Sequence, residues 1–229
     1  MLLSVIIPAY NEETTIAAVI NQVKSVELPE ALRKEIIVVN DGSKDKTADM
    51  LSHYQGQANM TIVHQAHAGK TAALLTGINN AKGDVFLIQD ADLEYDPAQY
   101  PKLLEPILKG EAEIVYGSRF LGTIKGMEPM NRLANMVSNG TFRLLYGEHI
   151  SDINTCYKVF TRRAFEGIVI KARNFAFETE ITVKFLKKGL KIKEVPIHYC
   201  ARSRQEGKKI KWSTALEMYW PILKYRFWK

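Results

Sequence analysis

The chain opens on a continuous apolar run, residues 2–7, that stops at Pro8. An unbroken run of this length fits a strand buried on both faces. Behind it Ile16, Val19, Ile20 and Val23 recur at helical spacing. The alternation then repeats. Residues 35–40 (EIIVVN), 60–64, 84–89 (DVFLIQ) and 113–116 predict further strands, and residues 70–81 predict a helix with an Ala/Leu face. Buried strands separated by helices predict an α/β fold with a mostly parallel sheet covered on both faces. The second half is less regular. Residues 131–146 and 177–188 predict helices, residues 156–160 and 191–197 predict strands, and the segment from Ile210 is aromatic and basic. Neither an internal repeat nor a low-complexity segment interrupts the pattern.

In open α/β sheets, ligands bind beyond the carboxyl ends of the strands. Polar residues fall at those positions here. Tyr10, Asn11 and Glu12 follow the first strand, Asp41 the second, Asp90 and Asp92 the fourth, and Arg119 the fifth. Asp90-Ala91-Asp92 puts two carboxylates two residues apart at the end of a buried strand, with a small residue between. Two hard oxygen ligands suit Mg²⁺ or Mn²⁺ shared with substrate phosphates, and Glu94 adds a third oxygen in reach. Alone, the tripeptide reads rather as a solvated acidic turn leading to a helix capped near Asp96-Pro97, and the polar residues at the other strand ends reverse that reading. Pro8-Ala9-Tyr10-Asn11-Glu12 supplies an aromatic ring and polar groups suited to a nucleobase, or simply a strand-to-helix turn. Asp41 stands where a carboxylate reaches a ribose or base, and also begins an Asp-Gly turn. Residues 67–71 (HAGKT) lack the earlier glycine of a phosphate loop, since position 64 is His64; Lys70, at a helix start, still suits an anion.

Charge and composition narrow the picture. The chain has 229 residues and is 46% apolar, enough for one α/β domain with a sizeable core. The net charge is +6, and residues 202–229, with eight basic and two acidic side chains, account for all of it. A local excess argues for an anion site or membrane contact rather than a nucleic-acid-binding surface. Two cysteines, Cys156 and Cys200, do not make a disulfide framework and fit a reducing compartment. The first residues read as a strand rather than a signal peptide, and no stretch is apolar enough to span a bilayer. The histidines and cysteines show no zinc spacing.

Taken in order, these segments resemble glycosyltransferase family 2. They are SVIIPAYNEE, IIVVNDGSKDKT, the GK before the Ala/Leu helix, DADLEYDP, GSR at 117–119, DINTCYKVF at 152–160, FETEI at 177–181, EVPIHY at 194–199 and RSRQEGKKIKW at 202–212. The resemblance spans nearly the whole chain. Within the family it is to dolichyl-phosphate mannose synthase and related enzymes that glycosylate polyprenyl phosphates.

That resemblance implies a GT-A fold, an α/β sandwich around a Rossmann-like sheet. Residues 1–201 would be one catalytic domain, with a nucleotide-sugar half at 1–125 and an acceptor half at 126–201, followed by the basic aromatic segment 202–229. It implies that Pro8, Tyr10, Glu12, Val39 and Asp41 line a nucleoside pocket, with Lys70 and Ala91 nearby. Asp90, Asp92 and Glu94 would hold the metal. Relatives of this kind often carry glutamine where this chain has Glu94. Arg119 and Arg132 would face phosphates, and Arg202 or Arg204 with Lys209 would clamp the donor diphosphate or an acceptor phosphate. The synthases often have a serine where this chain has Lys208.

The implied reaction is an inverting transfer from a nucleotide diphosphate-sugar, of GDP-mannose or UDP-glucose type, to a dolichyl or undecaprenyl phosphate. Asp152 is the candidate general base or acceptor-orienting group, or else a loop aspartate capping a turn. Glu178 reads as structural, and Glu180 as either structural or sugar-contacting. Trp212, Leu216, Tyr219, Trp220, Leu223 and Phe227 follow helical spacing beside Lys224, Arg226 and Lys229. They suit either a bilayer interface or packing on the core, and Pro221 should kink or break the helix. Many relatives carry transmembrane helices after this point. A cytoplasmic protein, peripheral on a membrane or docked to a membrane partner, is the expectation. The alternatives are a family 2 transferase acting on a hydroxyl acceptor and an inactive nucleotide-sugar-binding module.

Overall fold

The computed structural model describes residues 1–29, 32–202 and 212–227. The first half builds as its apolar pattern predicts. Strand β1 (Leu2–Ala9) pairs in parallel with β2 (Arg33–Asp41) on one side and with β4 (Val85–Ile88) on the other, and β3 (Met60–Gln65) extends the sheet beyond β2. Between them lie α1 (Ile16–Ser25), α2 (Thr47–Ser52) and α3 (Lys70–Asn80). Ile16, Val19, Ile20 and Val23 are buried on one face of α1, the stripe that their i, i+3, i+4, i+7 spacing requires. Helix α3 lies directly over β1. A Cβ built on Gly77 would come within 2.4 Å of Ile6 Cγ2, so this crossing needs glycine.

A 3₁₀ turn at Pro97–Gln99, capped by the Asp96 side chain, leads into α4 (Tyr100–Leu108). The second half contributes β5 (Ile114–Lys125), α5 (Pro129–Tyr146), β6 (Lys158–Thr161), the short α6 (Arg162–Phe165), α7 (Phe177–Lys187), β7 (Lys193–Cys200) and α8 (Trp212–Phe227). The seven strands lie in the order β3-β2-β1-β4-β6-β5-β7. Among the described residues β6 alone runs antiparallel, wedged between β4 and β5, so the carboxyl ends of the other strands share one edge.

Strand β5 is longer than its apolar core suggests. It passes residue 116 and pairs with β7 across an irregularity between Ser118 and Thr123. Two apolar clusters cover the faces. One lies under α1 and α4, with Leu3, Val5, Val38 and Leu87, and the other under α3 and α7, with Ile6, Ile37, Phe86 and Phe160.

Helix α8 runs through Pro221 without ending there, against the expectation of a break. The turn beyond the proline is anchored: Ile222 and Tyr225 are buried, and the Tyr146 hydroxyl donates to the Ile222 carbonyl at 2.9 Å. Tyr219 and Thr141 share a hydroxyl hydrogen bond at 2.9 Å, and Tyr225 donates to Glu180 at 2.6 Å. From Tyr219 on, the helix packs back on α5 and α7, and this packing outweighs the one backbone bond that proline removes.

Candidate functional site

The carboxyl ends of β1, β2, β4 and β5 surround a cavity of about 450 Å³. Pro8, Tyr10, Glu12, Asp41, Lys70, Asp90, Ala91, Asp92, Glu94, Arg119 and Arg202 all line it, so most of the residues expected from sequence converge there.

The acidic turn after β4 is held from behind. Gln89 is fully buried and accepts hydrogen bonds from the Tyr100 and Tyr157 hydroxyls at 2.8 and 2.9 Å. Its amide donates to the carbonyls of Asp90 and Tyr95 at 2.9 and 3.2 Å. The turn itself needs a left-handed residue, and Leu93 takes φ 61°. Asp90 then meets the Lys70 ammonium at 2.8 Å, and Asp92 meets Arg202 at 3.2 Å. Burial, reinforced by the charges of Asp90 and Glu94 and opposed by Arg202, pushes the Asp92 carboxyl up to about 8.

Three carboxylates in one turn thus outweigh the cations facing them, and this charge balance suits a divalent cation. Among the described residues no group of three or more His, Cys, Asp or Glu side chains forms a metal cage. Glu94, expected as a third ligand, has both oxygens engaged: it accepts from the Tyr199 hydroxyl at 2.5 Å and from the Arg202 backbone at 2.8 Å. Asp92 is engaged at both oxygens as well, by the Glu94 amide at 3.1 Å and Arg202 at 3.2 Å, and all three carboxylates line the cavity. An open set of this kind fits an ion completed by water and substrate phosphate better than a closed structural site.

The base-side wall joins two loops. Asp41 accepts from Gln65 and from the Ala68 and Gly69 amides at 2.7 to 2.9 Å, with His67 Nδ1 at 2.9 Å. It therefore folds the loop after β3 against the end of β2. Gly69 takes φ 91° there, and a Cβ would fall 2.7 Å from Asn174 Oδ1. The loop lays His67 on Tyr10, with ring centroids 4.2 Å apart and planes 26° apart. Sequence reasoning named Tyr10 but not its partner. Val39, expected in this pocket, is fully buried under α3 in the apolar cluster. It shares a face of β2 with Asp41 but lies two residues deeper, where the helix covers it.

The opposite wall is built on a buried ion pair. Arg119 Nε and Nη2 donate to the two carboxylate oxygens of Asp152 at 2.7 and 2.8 Å, and the Arg119 amide adds a third bond at 3.0 Å. Asp152, expected as a base or acceptor-orienting group, is fully buried and does not line the cavity; its contacts are with Arg119. Behind it Glu194 accepts from the Ser151 and Asp152 amides at 2.8 and 3.1 Å and from the Ser151 hydroxyl at 2.9 Å. The guanidinium also lies 5.2 Å from the Tyr199 ring centroid. Arg132, expected beside it, is exposed: Asn131 faces the cavity, and one residue further the helix has turned by about 100°.

Arg202, just beyond β7, reaches back to the first half, meeting Glu12 at 2.9 and 3.3 Å as well as Asp92. Arg204 and Lys209 lie outside the described residues.

Three further residues enter the site through contacts with other elements. Glu178, read as structural, lines the cavity. Its Oε1 accepts from Lys70 at 2.9 Å, while the buried Oε2 has no hydrogen-bond partner among the described residues. Although burial opposes it, the charges of Asp90, Cys156 and Glu178 hold the Lys70 ammonium well above its usual value. Asn135 and Asn154 also face the cavity, joined at 3.1 Å. Glu180, by contrast, is structural. It is fully buried and binds the Lys171 and Ala172 amides, Lys184 and Tyr225.

Residues 4–169 match the model of glycosyl transferase family 2. The chain is 29% identical over 234 residues to a dolichol-phosphate mannosyltransferase of Pyrococcus furiosus, covering 100% of this chain and 65% of that one. It is 29% identical over 200 residues to the glycosyltransferase AglJ of Haloferax volcanii, covering 86% of this chain and 63% of the relative. A dolichyl-phosphate beta-glucosyltransferase of Trichomonas vaginalis, ALG5D, is 30% identical over 239 residues, covering 96% and 72%. The chain spans just under two thirds of the length of the first two relatives. Among solved structures, a glucosyl-3-phosphoglycerate synthase of Mycobacterium tuberculosis, in complex with Mn²⁺, UDP and glucosyl-3-phosphoglycerate, superposes with a TM-score of 0.76 at 21% identity, covering 98% of this chain and 79% of that one. The architecture is the GT-A fold. The apolar strands, the acidic turn after β4 and the arginine within β5 therefore belong together, and the chain is a member of glycosyl transferase family 2.

Proposed function

We propose that the protein transfers a hexose, with inversion, from a nucleotide diphosphate-sugar of GDP-mannose or UDP-glucose type to a polyprenyl phosphate. The observation that carries this reading is one cavity holding the Tyr10–His67 stack, the Asp90/Asp92 pair, and the cations Lys70, Arg119 and Arg202. The stacked rings form a flat wall for a nucleobase. Asp90 and Asp92 would hold Mg²⁺ or Mn²⁺, which would supply charge neutralisation for the leaving diphosphate. Arg202 lies beside Asp92 and adds positive charge for the same oxygens.

An acceptor phosphate needs little help to attack. Its second pKa is about 6, so near neutral pH it is already anionic, and it needs a cation to place it rather than a base to activate it. Arg119, fixed by Asp152, supplies that cation. The mannosyl and glucosyl transferases that this chain resembles are named for dolichyl phosphate, which supports the same choice. Glu178 Oε2, buried and without a partner, suits a sugar hydroxyl.

The same atom favours a second reading, a hydroxyl acceptor deprotonated by Glu178. One assay decides. The protein is incubated with Mg²⁺ or Mn²⁺, a polyprenyl phosphate and a panel of GDP- and UDP-sugars, and glycolipid and released nucleotide are followed by mass spectrometry. Glycolipid formation is expected. Turnover confined to hydroxyl acceptors would overturn the phosphate reading. Glu178→Gln sharpens the result. A hydroxyl holder loses about tenfold in kcat/KM with an unchanged pH profile, whereas a base loses about 10² to 10⁴-fold in kcat together with its acidic limb.

A further inference from the structure

A buried hydroxyl must place its proton on an acceptor, and the buried tyrosines among the described residues do so with one exception. Tyr100 and Tyr157 donate to Gln89 Oε1 at 2.8 and 2.9 Å, Tyr199 to Glu94 at 2.5 Å, and Tyr225 to Glu180 at 2.6 Å. Tyr116 meets Thr182 Oγ1 at 2.8 Å. That threonine gives its own proton to the Glu178 carbonyl at 2.6 Å, so Tyr116 is the donor. Tyr95 is the exception. It is 2% exposed, and its hydroxyl accepts from the Cys156 amide at 3.2 Å. A phenol has one proton to give, and among the described residues Tyr95 gives it to none. Its acceptor must come from whatever occupies the cavity, which Tyr95 lines.

The hydroxyl is held in place by its surroundings. The ring packs against those of Tyr157 and Tyr199, with centroids 4.8 and 5.1 Å away. The Tyr95 backbone bridges to Tyr199, and its carbonyl accepts from the buried Gln89 amide at 3.2 Å. With the oxygen fixed by the Cys156 amide, only rotation of the O–H bond is left. Burial holds the Tyr95 phenol well above its ordinary value, and the strongest charge acting against that is Arg119. The group therefore stays an O–H donor, close to the guanidinium. Arg119 has an unused donor of its own. Its Nε and Nη2 go to Asp152, while Nη1 has no partner among the described residues and is not sealed from the cavity.

We propose that the Tyr95 hydroxyl is a second donor to the acceptor phosphate: it and Arg119 Nη1 hold two oxygens of a phosphate monoester and leave the third to attack. One donor would pin the phosphate at a single oxygen and let it turn. Two donors on one wall settle which oxygen faces the anomeric carbon. That oxygen forms the new bond to the carbon as the carbon's bond to the nucleoside diphosphate breaks, and the bonding pair leaves with the diphosphate. The Tyr95 proton stays on Tyr95. A neutral second donor also draws less charge from the attacking phosphate than a second cation would.

This role for Tyr95 rests on the phosphate-acceptor reading, and the test separates the two. A water-soluble short-chain isoprenyl phosphate serves as acceptor. Tyr95→Phe is expected to lower kcat/KM for it about tenfold, the loss of one hydrogen bond to a charged group. Calorimetry should show isoprenyl phosphate binding weakened to a similar degree, with the affinity for GDP or UDP in Mg²⁺ unchanged. The pH profile should keep its shape, because no proton leaves the phenol. Tyr95→Phe also strips the Cys156 amide of its acceptor, so a second variant isolates the donor. Tyr95→3-fluorotyrosine makes the hydroxyl a stronger donor and a weaker acceptor, and should bind isoprenyl phosphate at least as tightly as the wild type.

Unchanged isoprenyl phosphate binding and turnover in Tyr95→Phe would overturn the proposal and leave the acceptor reading intact. Impairment of Tyr95→3-fluorotyrosine equal to that of Tyr95→Phe would also overturn it, since the hydroxyl would then serve the Cys156 amide alone. So would GDP and UDP binding weakened about tenfold in Tyr95→Phe, which would place the proton on the leaving group. If the wild type glycosylates no lipid phosphate, yet binds isoprenyl phosphate more tightly than Tyr95→Phe does, the acceptor reading is sunk and the phosphate donor stands.

Discussion

The two walls of the cavity, the proposed donor side and the proposed acceptor side, hold their charges in different ways. On the donor side Asp90, Asp92 and Lys70 stand at strand or helix ends, partly open to the cavity. On the acceptor side Arg119 is buried and held through Nε and Nη2 by Asp152, which is itself pinned through the loop that Glu194 grips. The first arrangement keeps carboxylates available to a cation and is electrostatically unbalanced. The second fixes one cation in one orientation by removing its counter-ion from the solvent. A leaving group that develops charge suits the first. An acceptor that must be aimed suits the second.

The largest effect should come from breaking the donor side. Asp92→Ala is expected to lower metal-dependent turnover by about 10³-fold, since one of the two carboxylates proposed to hold the ion is lost. Circular dichroism and melting should stay those of the wild type, or improve slightly, because a strained carboxylate has gone. Full activity in this variant would refute the donor-side assignment.

The acceptor side should break in the opposite manner. Asp152→Asn leaves a buried guanidinium without its counter-charge and should cost about 3–5 kcal/mol in urea unfolding. Activity falls as a consequence of the misplaced arginine. The double variant Arg119→Met, Asp152→Leu should recover most of that stability without recovering turnover. If stability and turnover return together, the pair was never an aiming device.

A smaller effect concerns Lys158, fully buried behind the acceptor loop. Its ammonium donates to the Ile153 carbonyl at 3.0 Å and lies 3.4 Å from the Tyr116 ring centroid. Burial, partly offset by Glu178 and Asp152, lowers its pKa from 10.5 to about 7. Between those values the unfolded chain holds the proton and the folded chain does not. This group therefore adds stability as pH rises from about 7 toward 10.5, and below pH 7 its full burial penalty remains. Lys158→Met should flatten that slope in denaturation measured at pH 7, 8.5 and 10. An unchanged slope would mean that the lysine stays charged in place.

The two walls were also unequally legible in the sequence. Asp90 and Asp92 could be found because a buried run ends on them, and the turn is local. Tyr10 and Asp41 followed from the same logic. Val39 did not, because strand alternation gives a face but not the depth at which a helix begins to cover it. On the acceptor side, Arg119 was visible as a strand-end cation, yet the role of Asp152 depended on a contact across 33 residues. Glu178 and His67 were hidden for the same reason. Each sits in an unremarkable local pattern and gains meaning only from a neighbour brought by another element. Arg132 was misplaced by a single residue of helical rotation. The mostly parallel character of the sheet was legible, but not the antiparallel β6, four residues too short to announce their direction.

Gln89 carries a last consequence. The support beneath the acidic turn is made of one amide, two phenols and two carbonyls, none of which ionises near neutral pH. A mould built from neutral dipoles keeps its shape when acidity or ionic strength changes around it. The carboxylates above can exchange protons, cations and phosphate neighbours through a reaction cycle without the ground beneath them shifting. Glu at position 89 would have nearly the same outline. It would surrender both N–H donors and set a fourth negative charge under the turn, so a single-atom exchange would convert an inert footing into one that responds to every ion that arrives.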